Sequence, residues 1–228
     1  MRPEESEISR VSRTRQEAQE TYDKISRWYD YLEGFWEKSL REKALAKLKI
    51  EEGEVVLEIG FGPGHDLVSM AKSVGVEGKV YGIDLSLEMV AIAKERMSAA
   101  GLADRVLLEQ GDAVRLPYPD EFFDAIFMSF TLELFDTPEI PKVLAECRRV
   151  LGATGRMGVV ALSKAQGSNL MVKLYEWGHE QFPRILDCRP IFVRQALEAA
   201  KFEIQECIQE SLFGLPVEIA VGCTREEM

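Results

Sequence analysis

In Val55-Val56-Leu57-Glu58-Ile59-Gly60-Phe61-Gly62-Pro63-Gly64 an apolar run, Val55-Val56-Leu57, leads through Glu58 and Ile59 into three alternating glycines. Such a pattern is a strand feeding a tight turn, where bare glycine backbone lets a ligand approach the main chain. A second apolar run, Val80-Tyr81-Gly82-Ile83, ends in Asp84, twenty positions after Gly64. A carboxylate at the neighbouring strand end can accept bonds from ribose hydroxyls, so the two stretches together describe a nucleotide cradle. The glycine spacing is G-x-G-x-G rather than G-x-G-x-x-G, and Glu58 stands two positions before the first glycine. A pyrophosphate needs an anion site at a helix N-terminus, which an acidic neighbour opposes. A nucleoside that carries a cationic sulfonium and an amino group tolerates it.

Outward from this turn, strand and helix patterns alternate: strand 55–59, helix about 64–74, strand 79–84, helix 86–100 and strand 105–110. Phe123-Asp124-Ala125-Ile126-Phe127-Met128 reads as a fourth strand, the stripe Ile140, Val143, Leu144, Cys147 and Val150 as a helix, and 158–162 as a fifth strand. Alternation of this kind predicts a doubly wound α/β fold whose mostly parallel sheet is covered on both faces. Gly101 and Gly152 are placed where helices should stop. A helix at 191–200 and strands at 202–209 and 217–223 follow, the two strands pairing as a C-terminal β-hairpin and bringing the sheet to seven. Upstream, Tyr22, Ile25, Trp28, Tyr29 and Leu32 recur at helical spacing, and a second helical stretch runs through Leu40, Ala44, Leu45 and Leu48. Residues 1–48 are therefore expected to form an N-terminal helical cap, and 49–228 the core. Residues 163–190 break the rhythm and are expected to form a lid.

The 228 residues carry 39 acidic against 28 basic side chains, a formal net charge of −11. That balance argues against nucleic acid, whose phosphates are bound by clustered Lys and Arg. No stretch approaches the roughly 20 apolar residues of a membrane span, and the start Met1-Arg2-Pro3-Glu4-Glu5 lacks the apolar segment of a signal peptide. The expectation is a cytoplasmic protein, with peripheral lipid contact left open. Cys147, Cys188, Cys207 and Cys223 form no C-x-x-C pair, and only His65 and His179 could add imidazole, so no metal site is expected.

Further matches in register carry a family resemblance: Tyr22-Asp23-Lys24-Ile25-Ser26-Arg27-Trp28-Tyr29-Asp30, the glycine turn, Gly82-Ile83-Asp84-Leu85-Ser86, Gly111-Asp112-Ala113, and Leu116-Pro117 through Phe123-Asp124. Over about residues 20–160 the chain resembles the class I S-adenosylmethionine-dependent methyltransferases, and within them the small-molecule branch of the ubiquinone and menaquinone C-methyltransferases. The resemblance implies a Rossmann-like methyltransferase fold and S-adenosyl-L-methionine as cofactor. It places Glu58 and Gly60 at the methionine part, Gly62 and Gly64 in the turn, and Asp84 and Leu85 at the ribose end. It sets Met89 on one face of the adenine, Asp112 at the adenine amino group with Ala113 beside it, and Ser129 where the fourth strand opens toward the methionine. Tyr22 and Tyr29, seven apart on one helical face, would close over the cofactor.

On the acceptor side, Tyr175, Trp177, Phe182 and Arg189 are the candidate substrate contacts and His179 the candidate general base, since an acceptor that must lose a proton benefits from a base nearby. The apolar lid residues favour a small hydrophobic acceptor with a quinone-like ring. The alternatives are an N- or S-methyltransferase of a small amine, phospholipid or thiol. From other classes, an NAD-dependent oxidoreductase and a non-catalytic nucleotide-binding module stay open.

Overall fold

The computed structural model describes residues 17, 37–165 and 188–224. Strand β1 (Val55–Ile59) is apolar except for the buried Glu58, because it lies inside a sheet covered on both faces. It pairs in parallel with β2 (Lys79–Asp84) on one side and β4 (Phe123–Ser129) on the other. β3 (Val106–Gln110) extends the sheet beyond β2, and β5 (Leu151–Leu162) beyond β4, again in parallel. β7 (Leu215–Thr224) then pairs antiparallel with both β5 and β6 (Phe202–Leu212), giving a seven-stranded sheet of order β3-β2-β1-β4-β5-β7-β6. Strand order reverses between β1 and β4, which opens a crevice at their carboxyl ends where the glycine turn lies.

Alternate residues of each strand feed two cores. Leu57, Ile59, Ile126 and Met128 pack with α4 (Ile140–Val150) and α5 (Val193–Ala199) on one face. Val56, Val80, Ala125, Phe127 and Val160 pack on the other with α1 (Lys38–Leu48), α2 (His65–Ser73) and α3 (Leu87–Ala99). Leu40, Ala44 and Leu48 of α1 belong to this second core. The described end of the segment expected as a cap is thus a layer of the core itself. Arg156 fastens it, its guanidinium donating to the Leu48 and Lys49 carbonyls (2.5 Å each) while pairing with Glu54.

Three local expectations change. β5 begins at Leu151, well before 158, with an irregular register against β4. Gly152 does not end a helix; α4 stops at Val150 and the chain turns directly into the strand, where the Thr224 hydroxyl reaches the Gly152 and Ala153 carbonyls (2.9 and 2.8 Å). β7 begins at Leu215 rather than 217, with Pro216 inside the strand opposite Ser211 and its carbonyl accepting from the Ser163 N–H at 2.8 Å. The hairpin turn, Phe213-Gly214, takes φ of 52° and 83°, the mirror-image geometry that suits the twist of paired strands.

Leu48 is fully buried, so Leu48→Ala is expected to cost about 2–5 kcal/mol of stability in denaturant unfolding, the range for emptying a core leucine site. A loss below about 1 kcal/mol, as for a surface change, would make α1 an appendage.

Candidate functional site

The ends of β1, β2 and β3 are laced together by main-chain bonds beyond the strands, from the Gly60 N–H to the Ile83 carbonyl (2.8 Å) and from the Gly111 N–H to the Asp84 carbonyl (2.9 Å). Gly60 and Gly62 take φ of 70° and 50°, a region that L side chains avoid. A Cβ at Gly60 would stand 2.4 Å from Thr131 Cγ2, so that residue must be glycine on both counts. A Cβ at Gly62 would meet nothing within 4 Å, leaving its backbone open to a ligand.

Asp84 organises two turns with one carboxylate. Its Oδ2 accepts from the Gly62 N–H and its Oδ1 from the Ser86 N–H, both at 2.9 Å. Ser86 in turn caps α3, its Oγ accepting from the Met89 N–H at 3.2 Å. A carboxylate offers about four acceptor directions, so ribose hydroxyls remain compatible with this arrangement. Leu85 is half-buried, its carbonyl taken by Gln110 Nε2 at 3.0 Å, which ties β3 to the same turn. Asp112 is half-buried too, with Oδ1 accepting from the Val114 N–H at 3.0 Å.

The pleat puts Glu58, Phe127 and Ser129 on one face of the sheet. Glu58 is 2% exposed, and its Oε2 lacks a hydrogen-bond partner, as does the buried Oγ of Ser129. Buried polar atoms are normally satisfied, so two orphans at the ends of adjacent central strands fit a polar ligand placed there. Burial pushes the Glu58 carboxyl well above the usual carboxylate range, and the charges of Asp66 and Asp84 push the same way while Arg41 opposes them. Asp66, in the first turn of α2, is likewise raised by burial and held back by Arg41, whose Nε donates to its Oδ1 at 3.2 Å. The same guanidinium faces Glu37 at 3.5 Å. Among the described residues, Arg41 thus stands among three carboxyl groups, Glu37, Glu58 and Asp66, a setting in which a further cation is favoured and a pyrophosphate at the α2 N-terminus is opposed.

Gly60, Gly62, Gly64, Glu58, Asp84, Leu85, Asp112 and Ser129 therefore gather around the carboxyl ends of β1–β4. Met89 and Ala113 are brought near but are only 1% and 4% exposed, so they support the turns from within. Arg189, expected as a substrate contact, is fully buried and donates to Thr137 Oγ1 at 3.0 Å and to the Phe135 carbonyl. Tyr22, Tyr29, Tyr175, Trp177, His179 and Phe182 lie outside the described residues. Sequence reasoning missed Arg41, Asp66 and Thr131. Asp66 had a faint signal, an acid opening the helix after Gly64, but its pairing with a residue 25 positions upstream had none. Among the described residues, no helix is long and apolar enough to cross a membrane.

Residues 56–155 match a family model described as a methyltransferase domain. The demethylmenaquinone methyltransferase of Lactobacillus johnsonii is 35% identical over 59% of this chain and 53% of its own. That of Symbiobacterium thermophilum is 33% identical over 65% and 60%. The chain thus spans little more than half the length of these curated relatives. A lower identity of 28% extends over 91% of the chain and 84% of the Bacillus mycoides demethylmenaquinone methyltransferase. Among solved structures, a SAM dependent methyltransferase from Aquifex aeolicus superposes with a TM-score of 0.61 at 28% identity, covering 80% of this chain and 88% of its own. The [4+2]-cyclase SpnF reaches 0.76 at 20% identity over 96% and 98%, a likeness of fold alone.

Between the ordinary carboxylate pKa and its raised value, Glu58 takes up a proton on folding, so stability falls as pH rises through that window. Glu58→Gln removes this slope. The difference in melting temperature between variant and wild type, measured in the absence of ligand, is expected to grow with pH; a pH-independent difference would mean that Glu58 titrates normally.

Proposed function

Since the chain belongs to the class I S-adenosylmethionine-dependent methyltransferases, we propose that it transfers a methyl group to a small, largely hydrophobic acceptor with a quinone-like ring. The observation that carries the donor side is the buried Glu58 carboxylate with an unpartnered oxygen beside a glycine turn whose Gly62 face is open. The acceptor class is supported by the relatives that the chain resembles, which are demethylmenaquinone methyltransferases.

When bound, S-adenosyl-L-methionine supplies an electrophilic methyl group on a cationic sulfur. Glu58, Gly60 and Ser129 are proposed to hold its methionine end, Asp84 and Leu85 its ribose, and Asp112 the adenine amino group. The task left to the chain is to align the acceptor with the methyl group and to exclude water, both of which favour an in-line displacement. Tyr22 and Tyr29 are proposed to cover the donor. Tyr175, Trp177 and Phe182 are proposed to meet the acceptor, with His179 as the base where the acceptor must lose a proton.

A dinucleotide reading is disfavoured by the acidic residues at the turn, since Glu58 and Asp66 would face a pyrophosphate. The competing outcome is a nucleoside binder that transfers no methyl group.

Calorimetry is expected to give binding of S-adenosylmethionine and its demethylated product but not of NAD. Asp84→Ala is expected to weaken that binding by about 1–3 kcal/mol, the range for leaving polar partners unmatched; unchanged affinity would remove Asp84 from the site. Incubation with methyl-labelled donor and a panel of quinols, amines and thiols should label the quinol class. Binding without label in any acceptor would favour the non-transferring reading.

A further inference from the structure

We propose that Arg189 is a positioning residue for methyl transfer, bracing the loop after β4 and, through Thr131, the glycine turn on the donor side; the proposal rests on the transferase reading above.

The residues following β4 make contacts in two directions. Phe130 donates to the Val160 carbonyl at 2.7 Å and takes a φ of 48°, so the chain leaves the sheet in a constrained conformation. The Thr131 hydroxyl then lies 2.9 Å from the Ser129 carbonyl and 3.3 Å from that of Gly60. Its methyl packs where a Gly60 side chain would have been. Glu133, fully buried, accepts from the Leu162 N–H at 3.1 Å. Four and six residues beyond Thr131, the Phe135 carbonyl and the Thr137 hydroxyl receive the Arg189 guanidinium.

Arg189 is itself anchored to the far side of the crevice. Two residues on, Ile191 pairs with the end of β5, its N–H donating to the Leu162 carbonyl and its carbonyl accepting from the Lys164 N–H, both at 3.0 Å. Glu218, buried in β7, accepts from Ser163 Oγ at 2.8 Å and from the Arg194 N–H at 3.2 Å, locking the same junction. The guanidinium therefore spans from the β5 junction to the loop that backs Gly60. A planar fork with several donors suits this role, because it bonds a carbonyl and a hydroxyl at once in one orientation. Burying that charge is costly without such partners, so the loop and Arg189 hold each other in one arrangement. A small displacement of Thr131 is transmitted to the Gly60 peptide, and with it to the alignment on which an in-line transfer depends.

The test is Arg189→Met, read by hydrogen exchange, by calorimetry with S-adenosylhomocysteine, and by steady-state kinetics. Exchange across 130–137 should rise while that of α1 and α4 stays at the wild-type level. Affinity for S-adenosylhomocysteine should fall by about three- to tenfold, and kcat by at least about tenfold with acceptor KM unchanged, the signature of lost alignment. Unchanged exchange in 130–137, or a rise in acceptor KM alone, would overturn the proposal and return Arg189 to the acceptor side. Should Arg189→Met fail to fold, Thr137→Val decides: it removes one acceptor of the fork and should produce the same split at smaller amplitude, whereas wild-type behaviour overturns the proposal. A wild-type protein that binds no S-adenosylhomocysteine would defeat the transferase reading, while the exchange result would still report whether Arg189 braces the loop.

Discussion

A carboxylate at 2% exposure in the central strand of a sheet is a strong constraint, because its charged form has lost its water and must be answered by positive charge or by a proton. Glu58 is in that position, and Arg41, the cation that acts on it among the described residues, also serves Asp66 and Glu37. The packing of α1 into the core through Leu40, Ala44 and Leu48 sets Arg41 against the first turn of α2, where it meets this constraint. The same constraint explains the ligand preference of the cradle. The backbone of the glycine turn would accept many nucleotides, but buried carboxyls that ionise more readily beside a cation favour a positively charged ligand over a pyrophosphate.

Around this centre the site is built from main chain more than from side chains. The Gly60 N–H and the Asp84 carbonyl extend the ladder past the strand ends, and the Asp84 carboxylate fixes both the Gly62 and Ser86 peptides. These bonds are formed in the absence of a ligand, and such preorganisation limits the ordering cost of binding. The acceptor side has no comparable main-chain pattern among the described residues, in keeping with a fold that supports different substrates on one donor platform.

Most of the sheet was legible because parallel strands are buried on both faces and read as apolar runs; β1 and β2 fall on the residues that periodicity indicates. The start of β5 was hidden by Gly152 and Gly155, residues that signal a turn when read locally but here sit in a strand whose irregular register is supported by Thr224 from β7. Glu58, the glycines and Asp84 were readable from spacing. Arg41, Thr131 and the inward orientation of Arg189 were not, since each acts through a contact between segments distant in sequence. A local pattern reports that an arginine is present near an apolar stretch, but whether its fork meets a ligand or a backbone carbonyl is decided only by the packed fold.

The most direct measurement is the pH dependence of S-adenosylmethionine affinity in the wild type and in Glu58→Gln. Burial keeps a proton on Glu58 above the usual carboxylate range, and a bound cation favours its loss, so binding releases a proton and affinity in the wild type rises with pH until the ligand-free carboxyl is fully ionised. The variant, with nothing to ionise at that position, should lose this dependence and bind more weakly at the upper end. An affinity that is flat with pH in the wild type, or the same slope in both proteins, would contradict a buried carboxylate as the receptor for the donor's positive charge.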